Sequence, residues 1–361
     1  MKRHDLLFLI FFILLTFAPV PVFSIFRERI GYKNTENKAQ SEFPELSRQN
    51  FSTWPKRFEE YLSDNLPFKT QFIELFRGFQ FSTGLDFTQS DVIRGKNDTL
   101  FYRTTVENYK GITRFTDEEL AQIRDNLNKF FAQMEDRGAK CLLFIAPDKE
   151  QVYPELMPDR IWRITAESRA DQLAAYLEKE AVDFPVLYPK QALRNYAAST
   201  PIYYSTDTHW NDLGGWAAAE LIKSALTGEP AETTPPPYHR YDSEGKDLAG
   251  MLGLSERMPE LNAVEIDYTD GIETYKTQTI NYGHVQRYTT DSTAPESQKK
   301  LMVIGDSFSE YYVRAALHDI RDVLFVTHGD LSLIDPEAET PDYLVVMLVE
   351  RNLPFLLSYF Y

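Results

Sequence analysis

Hydrophobic positions along the chain fall into three regimes. The first is an unbroken apolar run: after MKRHD, the segment LLFLIFFILLTFAPVPVF carries no charged residue, and the next is Arg27. About 20 apolar residues suffice for a bilayer-spanning helix. Pro19 and Pro21 confine the strictly helical part to Leu6–Ala18, which is also the length of a signal-peptide core. Val22-Phe23-Ser24 is a poor cleavage site. Residues 1–27 therefore read as an uncleaved membrane helix, with a cleaved signal as the alternative. Either reading exports the rest of the chain to the periplasm or cell exterior. Arg27 and Arg29 flank the run as closely as Lys2 and Arg3 do, so flanking charge does not set an orientation.

The second regime, residues 28–80, is a polar linker followed by two short helices. Phe58, Tyr61 and Leu62 share one helical face, as do Phe72, Ile73 and Phe76, and Asp64-Asn65-Leu66-Pro67 separates them. DVIRGKNDTLFY then mixes β-favouring residues with a Gly-Lys-Asn-Asp turn and predicts a hairpin.

The third regime, from residue 116, alternates helix and strand. Thr116 and Glu119 form a capping-box pattern, and Leu120, Ile123, Leu127, Phe130, Phe131 and Met134 follow at helical spacing. Gly138 ends that helix, and Lys140–Ala146 reads as a buried strand. The pattern then predicts helices over 166–180, 211–226 and 308–318. It predicts strands over 185–188, 300–304, 322–327 and 343–349. Such alternation implies a parallel sheet covered on both faces by helices. Residues 227–297 break the rhythm with Pro235-Pro236-Pro237 and many Thr and Tyr, which predicts an irregular, partly β insertion within one domain spanning 81–361.

Composition narrows the function classes. With 43% hydrophobic and 25% charged residues among 361, the chain is of ordinary globular make-up. A net charge of −16 argues against nucleic-acid binding, which needs basic surface. The single Cys141, in KCLLFIAP, excludes a disulfide framework and reads as a buried thiol.

Two short stretches carry chemistry. In LMVIGDSFSEYY, Ser307 follows a strand and a Gly-Asp turn and precedes a helix, which places its side chain at the carboxyl end of the sheet. The helix N-terminus directs free N–H groups to the same spot and favours an oxyanion there. Of these donors, only the Ser307 N–H can be named from sequence. A serine needs a base. YYSTDTHWNDLGGW offers His209, with Asp207 two positions away to hold the imidazole. Alternate residues of an extended segment share a side, and Asn211-Asp212 can cap the following helix. His328, at the end of a strand and near Asp330, is the rival base. Zinc on Asp207, His209 and Asp212 is the competing chemistry, and no His-x-x-x-His or second Cys supports it.

TDTHWN followed by VIGDSF resembles the SGNH-hydrolase-like proteins of the alginate O-acetyltransferase group, also called the DHHW family. RFEEYLSDNLPFK, GKNDTLFY, IAPDKEQVYPELMP and VVMLVERNL resemble further segments of that family, and Thr208 stands where it often has a second His. The resemblance implies an SGNH-hydrolase-like, flavodoxin-like fold. It makes Ser307 the nucleophile, His209 the base and Asp207 its partner. It also implies acetyl transfer to hydroxyls of an exported polysaccharide, with a membrane-bound O-acyltransferase as donor and no cofactor. An acetyl esterase and a non-catalytic polysaccharide-binding or scaffold protein are the alternatives. Lys149, Tyr204, Trp210 and Tyr311 are candidate substrate-binding residues, and a solvated lysine and core aromatics are the plainer readings of them.

Overall fold

The computed structural model describes residues 3–17, 41–48, 50–64, 68–87, 89–267, 276–280, 285–290, 298–327 and 339–358. The cleavage site at 22–24, most of the linker, His284, His328 and Asp330 lie outside them. The chain divides into two compact units, residues 1–90 with 249–258 and residues 91–248 with 259–361.

The first unit holds helices α1 (Arg3–Phe17), α2 (Trp54–Asp64) and α3 (Lys69–Thr83). Both short helices read from the sequence are present, and Trp54 stacks on Phe58 of α2 with ring centroids 4.7 Å apart. Helix α1 covers 15 residues of the expected membrane segment, and residues 18–27 of that segment lie outside the described residues. No helix among the described residues is long and apolar enough to cross a membrane.

The second unit opens with the expected hairpin, β1 (Val92–Arg94) paired antiparallel with β2 (Leu100–Tyr102). Helix α4 (Asp117–Glu135) begins at the Thr116–Glu119 capping box and buries all six residues of its apolar face. Then come β3 (Lys140–Ala146), α5 (Arg169–Lys179), β4 (Val186–Leu187) and α6 (Lys190–Ala197), the last not foreseen. Helix α5 starts three residues later than expected because Ser168 and Asp171 form its capping box. After α7 (Asp212–Thr227) the insertion supplies β5 (Tyr238–Ser243), β6 (Glu260–Ile266), β7 (Lys276–Ile280) and β8 (Val285–Thr289). The chain closes with β9 (Lys300–Gly305), α8 (Ser309–Asp319), β10 (Asp322–Thr327), β11 (Tyr343–Val349) and a 3-10 helix over Glu350–Leu357.

The main sheet has the order β4-β3-β11-β9-β10-β8-β7. The first five strands are mutually parallel. The expected all-parallel sheet needs correction at one edge, where β8 pairs antiparallel with β10 and β7 with β8. These two strands belong to the insertion, whose remaining pair, β5 and β6, stands apart. Alternation with period two sends successive side chains to opposite faces. Leu142, Phe144 and Val303 meet α7 and α8 on one face, while Leu143, Ile145 and Ile304 meet α4 and α5 on the other. Burial on both faces explains the near-continuous apolar strands.

Candidate active site

Strand β9 ends in a turn that other elements fix tightly. A Cβ on Gly305 would lie 2.5 Å from the Met347 carbonyl oxygen of β11, so only glycine fits there. The buried Asp306 carboxylate accepts from the Phe308 N–H (3.0 Å), the Val349 N–H (2.8 Å) and Asn352 Nδ2 (2.8 Å). Ser307 is exposed, although Asp306 and Phe308 on either side of it are buried. Its N–H has no acceptor among the described residues and stands at the start of α8.

The segment from Tyr203 to Trp210 folds back on itself through an antiparallel bridge between those two residues. The Tyr204 N–H donates to the His209 carbonyl, and the Asn211 N–H to that of Ile202. Asn211 caps α7 by accepting from the Leu213 and Gly214 N–H groups. Asp207 reaches His209 through a turn and not along extended backbone. Its Oδ1 accepts the His209 N–H at 3.1 Å and lies 2.8 Å from Nδ1 of the ring. A carboxylate bonding the backbone two residues on is the usual Asx turn.

The two loops meet. His209 Nε2 lies 2.7 Å from Ser307 Oγ, so Asp207, His209 and Ser307 form one hydrogen-bonded row. Two features hold the loops together. The Trp210 indole N–H donates to the Phe308 carbonyl at 3.1 Å. Helices α7 and α8 also approach closely at Gly215, where a Cβ would fall 2.6 Å from that of Tyr311.

Charge favours this arrangement. Burial pushes the Asp207 carboxyl upward, but the hydrogen bonds and charge of His209, aided by the Lys149 cation, hold it down at about 2. With Nδ1–H donated to that carboxylate, Nε2 is left to accept the serine proton. The row can therefore support nucleophilic attack by Ser307, with the start of α8 facing the negative charge that develops.

The four residues expected to meet substrate are placed differently from one another. Lys149 is buried, its Nζ donating to the carbonyls of Tyr204, Ser205 and Asp207. This corrects both the substrate-binding and the solvated reading of that lysine. Tyr204 is buried beneath Lys246, and Trp210 is fully buried against Phe144 and Phe308. Neither offers a face to a sugar, because each ring is enclosed by neighbours. Tyr311 is half-buried, 6.1 Å from the His209 ring, and is the one of the four that borders the open site. Among the described residues no group of three or more His, Cys, Asp or Glu is arranged to hold a metal ion.

Two further residues stand at the site: Arg351, from the VVMLVERNL segment, and Glu260, which carried no sequence signal of its own. Arg351 binds Asp148 Oδ1 at 2.8 Å, reaches Thr208 Oγ1 at 3.4 Å and lies over the Phe308 ring. Glu260, from the insertion, is buried against Ser205 and Thr206.

Residues 92–319, well over half of the chain, match the family model described as the SGNH hydrolase-like domain of acetyltransferase AlgX. The chain belongs to this family. A probable alginate O-acetylase, AlgJ, of Pseudomonas syringae pv. tomato is 26% identical over 253 residues, covering 63% of this chain and 61% of that protein. The match thus spans less than two thirds of the curated relative. Among solved structures, Bacillus cereus PatB1 with a sulfonyl adduct aligns with a TM-score of 0.53 at 13% identity, over 74% of this chain and 99% of that one. A DHHW family protein from Eubacterium siraeum aligns at 0.50 and 13% identity, over 72% and 90%. At these identities the two structures support the SGNH-like fold and nothing finer.

Proposed function

We propose that this SGNH-like protein is an exported O-acetyltransferase that passes an acetyl group through Ser307 to hydroxyls of a periplasmic or extracellular polysaccharide. The hydrogen-bonded row from Asp207 through His209 to the exposed Ser307 carries the reading. Ser307 Oγ attacks the carbonyl carbon of the acyl donor while His209 Nε2 takes its proton. The ionised Asp207 stabilises the imidazolium. The Ser307 N–H and the start of α8 receive the oxyanion. Collapse expels the donor's leaving group, which collects the proton from His209, and leaves acetyl-serine. His209 then deprotonates a sugar hydroxyl, which attacks the acetyl carbonyl and restores Ser307.

Membership of a family named for an acetyltransferase, and likeness to a probable alginate O-acetylase, support the acetyl group and the polysaccharide class. The charge-free segment after Asp5 supports attachment to the cytoplasmic membrane, with the catalytic unit outside it. A membrane-bound O-acyltransferase is the donor this arrangement calls for. Exposure of Ser307 also favours a second outcome, hydrolysis, in which water replaces the sugar.

Incubation with an activated acetyl ester, followed by peptide mass spectrometry, is expected to find a 42 Da acetyl adduct (about 42 by the mass of C2H2O) on Ser307, a covalent intermediate of the double-displacement type. Substitution S307A is expected to abolish the adduct and lower ester turnover by roughly 10³-fold or more. Turnover that persists in S307A defeats the mechanism. The ratio of acetylated sugar to free acetate separates transferase from esterase.

A further inference from the structure

The strip that carries Asp207 is gripped by opposite charges on its two kinds of backbone group. Lys149 Nζ donates to the carbonyls of Tyr204 (3.0 Å), Ser205 (3.3 Å) and Asp207 (2.5 Å). The Thr206 carbonyl, between them, accepts from the Leu248 N–H at 3.0 Å, so four consecutive carbonyls have donors. Glu260 takes the other side. Its carboxylate accepts from the N–H and Oγ of Ser205, both at 3.0 Å, and from the N–H and Oγ1 of Thr206, at 2.7 and 2.6 Å. Both side chains are buried, 3% and 4% exposed, and neither is paired directly with the other. Removing two charges from water is costly unless each is well hydrogen-bonded. Here the loop itself serves as the partner of both.

We propose that Lys149 and Glu260 are positioning residues that fix the Asp207–His209 turn against Ser307, which makes strand β6 of the insertion part of the catalytic apparatus. The inference rests on the acetyl-serine reading above. Lys149 sits in the short helix Lys149–Val152 just past β3, while Glu260 opens β6, so the grip joins the sheet to the insertion across the loop. The Lys149 cation adds a second effect, because its field helps keep Asp207 ionised. Burial lowers the lysine to about 8, against the opposing pull of Asp207, Glu260 and Glu150, the charged groups that face it. Protonated Lys149 is the form that helps, so its contribution fades as pH rises through about 8.

The test measures turnover of p-nitrophenyl acetate by the full chain across pH 6–10 for wild type, K149M, E260Q and S307A. K149M and E260Q are each expected to lower kcat about 10- to 100-fold with KM changed less than about twofold, the loss that follows a misplacement of roughly 1 Å at a reacting group. The labelling rate of Ser307 by phenylmethylsulfonyl fluoride is expected to fall in parallel. The wild-type decline in kcat above about pH 8 is expected to be absent in K149M. If K149M does not fold, T206V carries the test: it removes one hydroxyl from Glu260 at constant shape, with an expected loss of about three- to tenfold. Wild-type kcat per folded molecule in E260Q or T206V, or an alkaline decline retained in K149M, overturns the inference. If S307A is inactive while these variants are not, the catalytic reading stands and the positioning role falls. If S307A stays active, the catalytic reading itself falls.

Discussion

Two sets of buried carboxylates lie at the carboxyl ends of neighbouring strands, and they are held in opposite states. Asp207 lies beside Ser307, past the end of β9, and is kept at about 2 because the hydrogen bonds and charge of His209, aided by Lys149, outweigh its burial. Glu350 follows β11 directly and is pushed up to about 7, by burial first and then by Asp148. Glu350 is no less hydrogen-bonded. It accepts from Asn108 Nδ2 (2.8 Å), Gln151 Nε2 (3.3 Å), the Tyr188 hydroxyl (3.0 Å) and the Asp148 N–H (3.4 Å). All four donors are neutral. Nearby, Asp148 is raised by burial and by Glu150 despite its bond to Arg351. Burial and neighbouring carboxylates thus leave Glu350 and Asp148 inclined to keep a proton, while the His209 hydrogen bonds and the Lys149 charge hold Asp207 ionised.

The sharpest way to break this contrast is D207N, which gives the first set a neutral group like the second. The amide cannot stabilise an imidazolium and favours the wrong tautomer. We expect kcat on p-nitrophenyl acetate to fall by roughly 10²- to 10⁴-fold, with Ser307 still present and the fold intact by circular dichroism. Next is R351M, which removes the cation bound to Asp148. The stranded carboxylate is expected to cost about 3 kcal/mol of stability at pH 8 in denaturant titrations, and less at pH 5, where Asp148 takes up a proton. An equal loss at both pH values would show that the guanidinium acts through packing alone.

The smallest effect on activity is expected of E350Q. The folded pKa of Glu350 lies above its usual 4.5, so the folded state binds the extra proton. The stability this group supplies is complete below pH 4.5 and is lost as pH rises through about 7. Over that window the stability of wild type relative to E350Q should therefore decline, by up to about 3 kcal/mol. Activity should change less than about twofold. A flat difference between the two proteins would place Glu350 in the ionised class with Asp207.

Much of this was legible in the residues. The capping boxes, the period-two strands and the strand-turn-helix around Ser307 are local signals, and local physics is what a sequence displays most directly. Asp207 and His209 were legible as a pair only together with the strand-turn-helix around Ser307, because Asp-x-His alone is as often a surface pair. The turn that joins them was not, since Asp-x-His suits an extended strip and an Asx turn equally. Burial of Lys149 was not legible, while core packing was already the plainer reading of Tyr204 and Trp210; each of the three has an apolar body and a polar tip, and such residues suit a core or a binding face. Glu260 and the antiparallel strands β7 and β8 lie where hydrophobic periodicity fails, so their partners are set by the tertiary fold alone.

The anchoring of Asp306 by Val349 and Asn352 has a consequence for synthesis. Ser307 leaves the ribosome more than forty residues (roughly 42, by position) before the groups that lock its turn in place, and elongation runs at about 5–20 residues per second. For those seconds the serine belongs to a loop without its final brace. Under the mechanism proposed above, the nucleophile's turn is complete only once Val349 and Asn352 have reached Asp306.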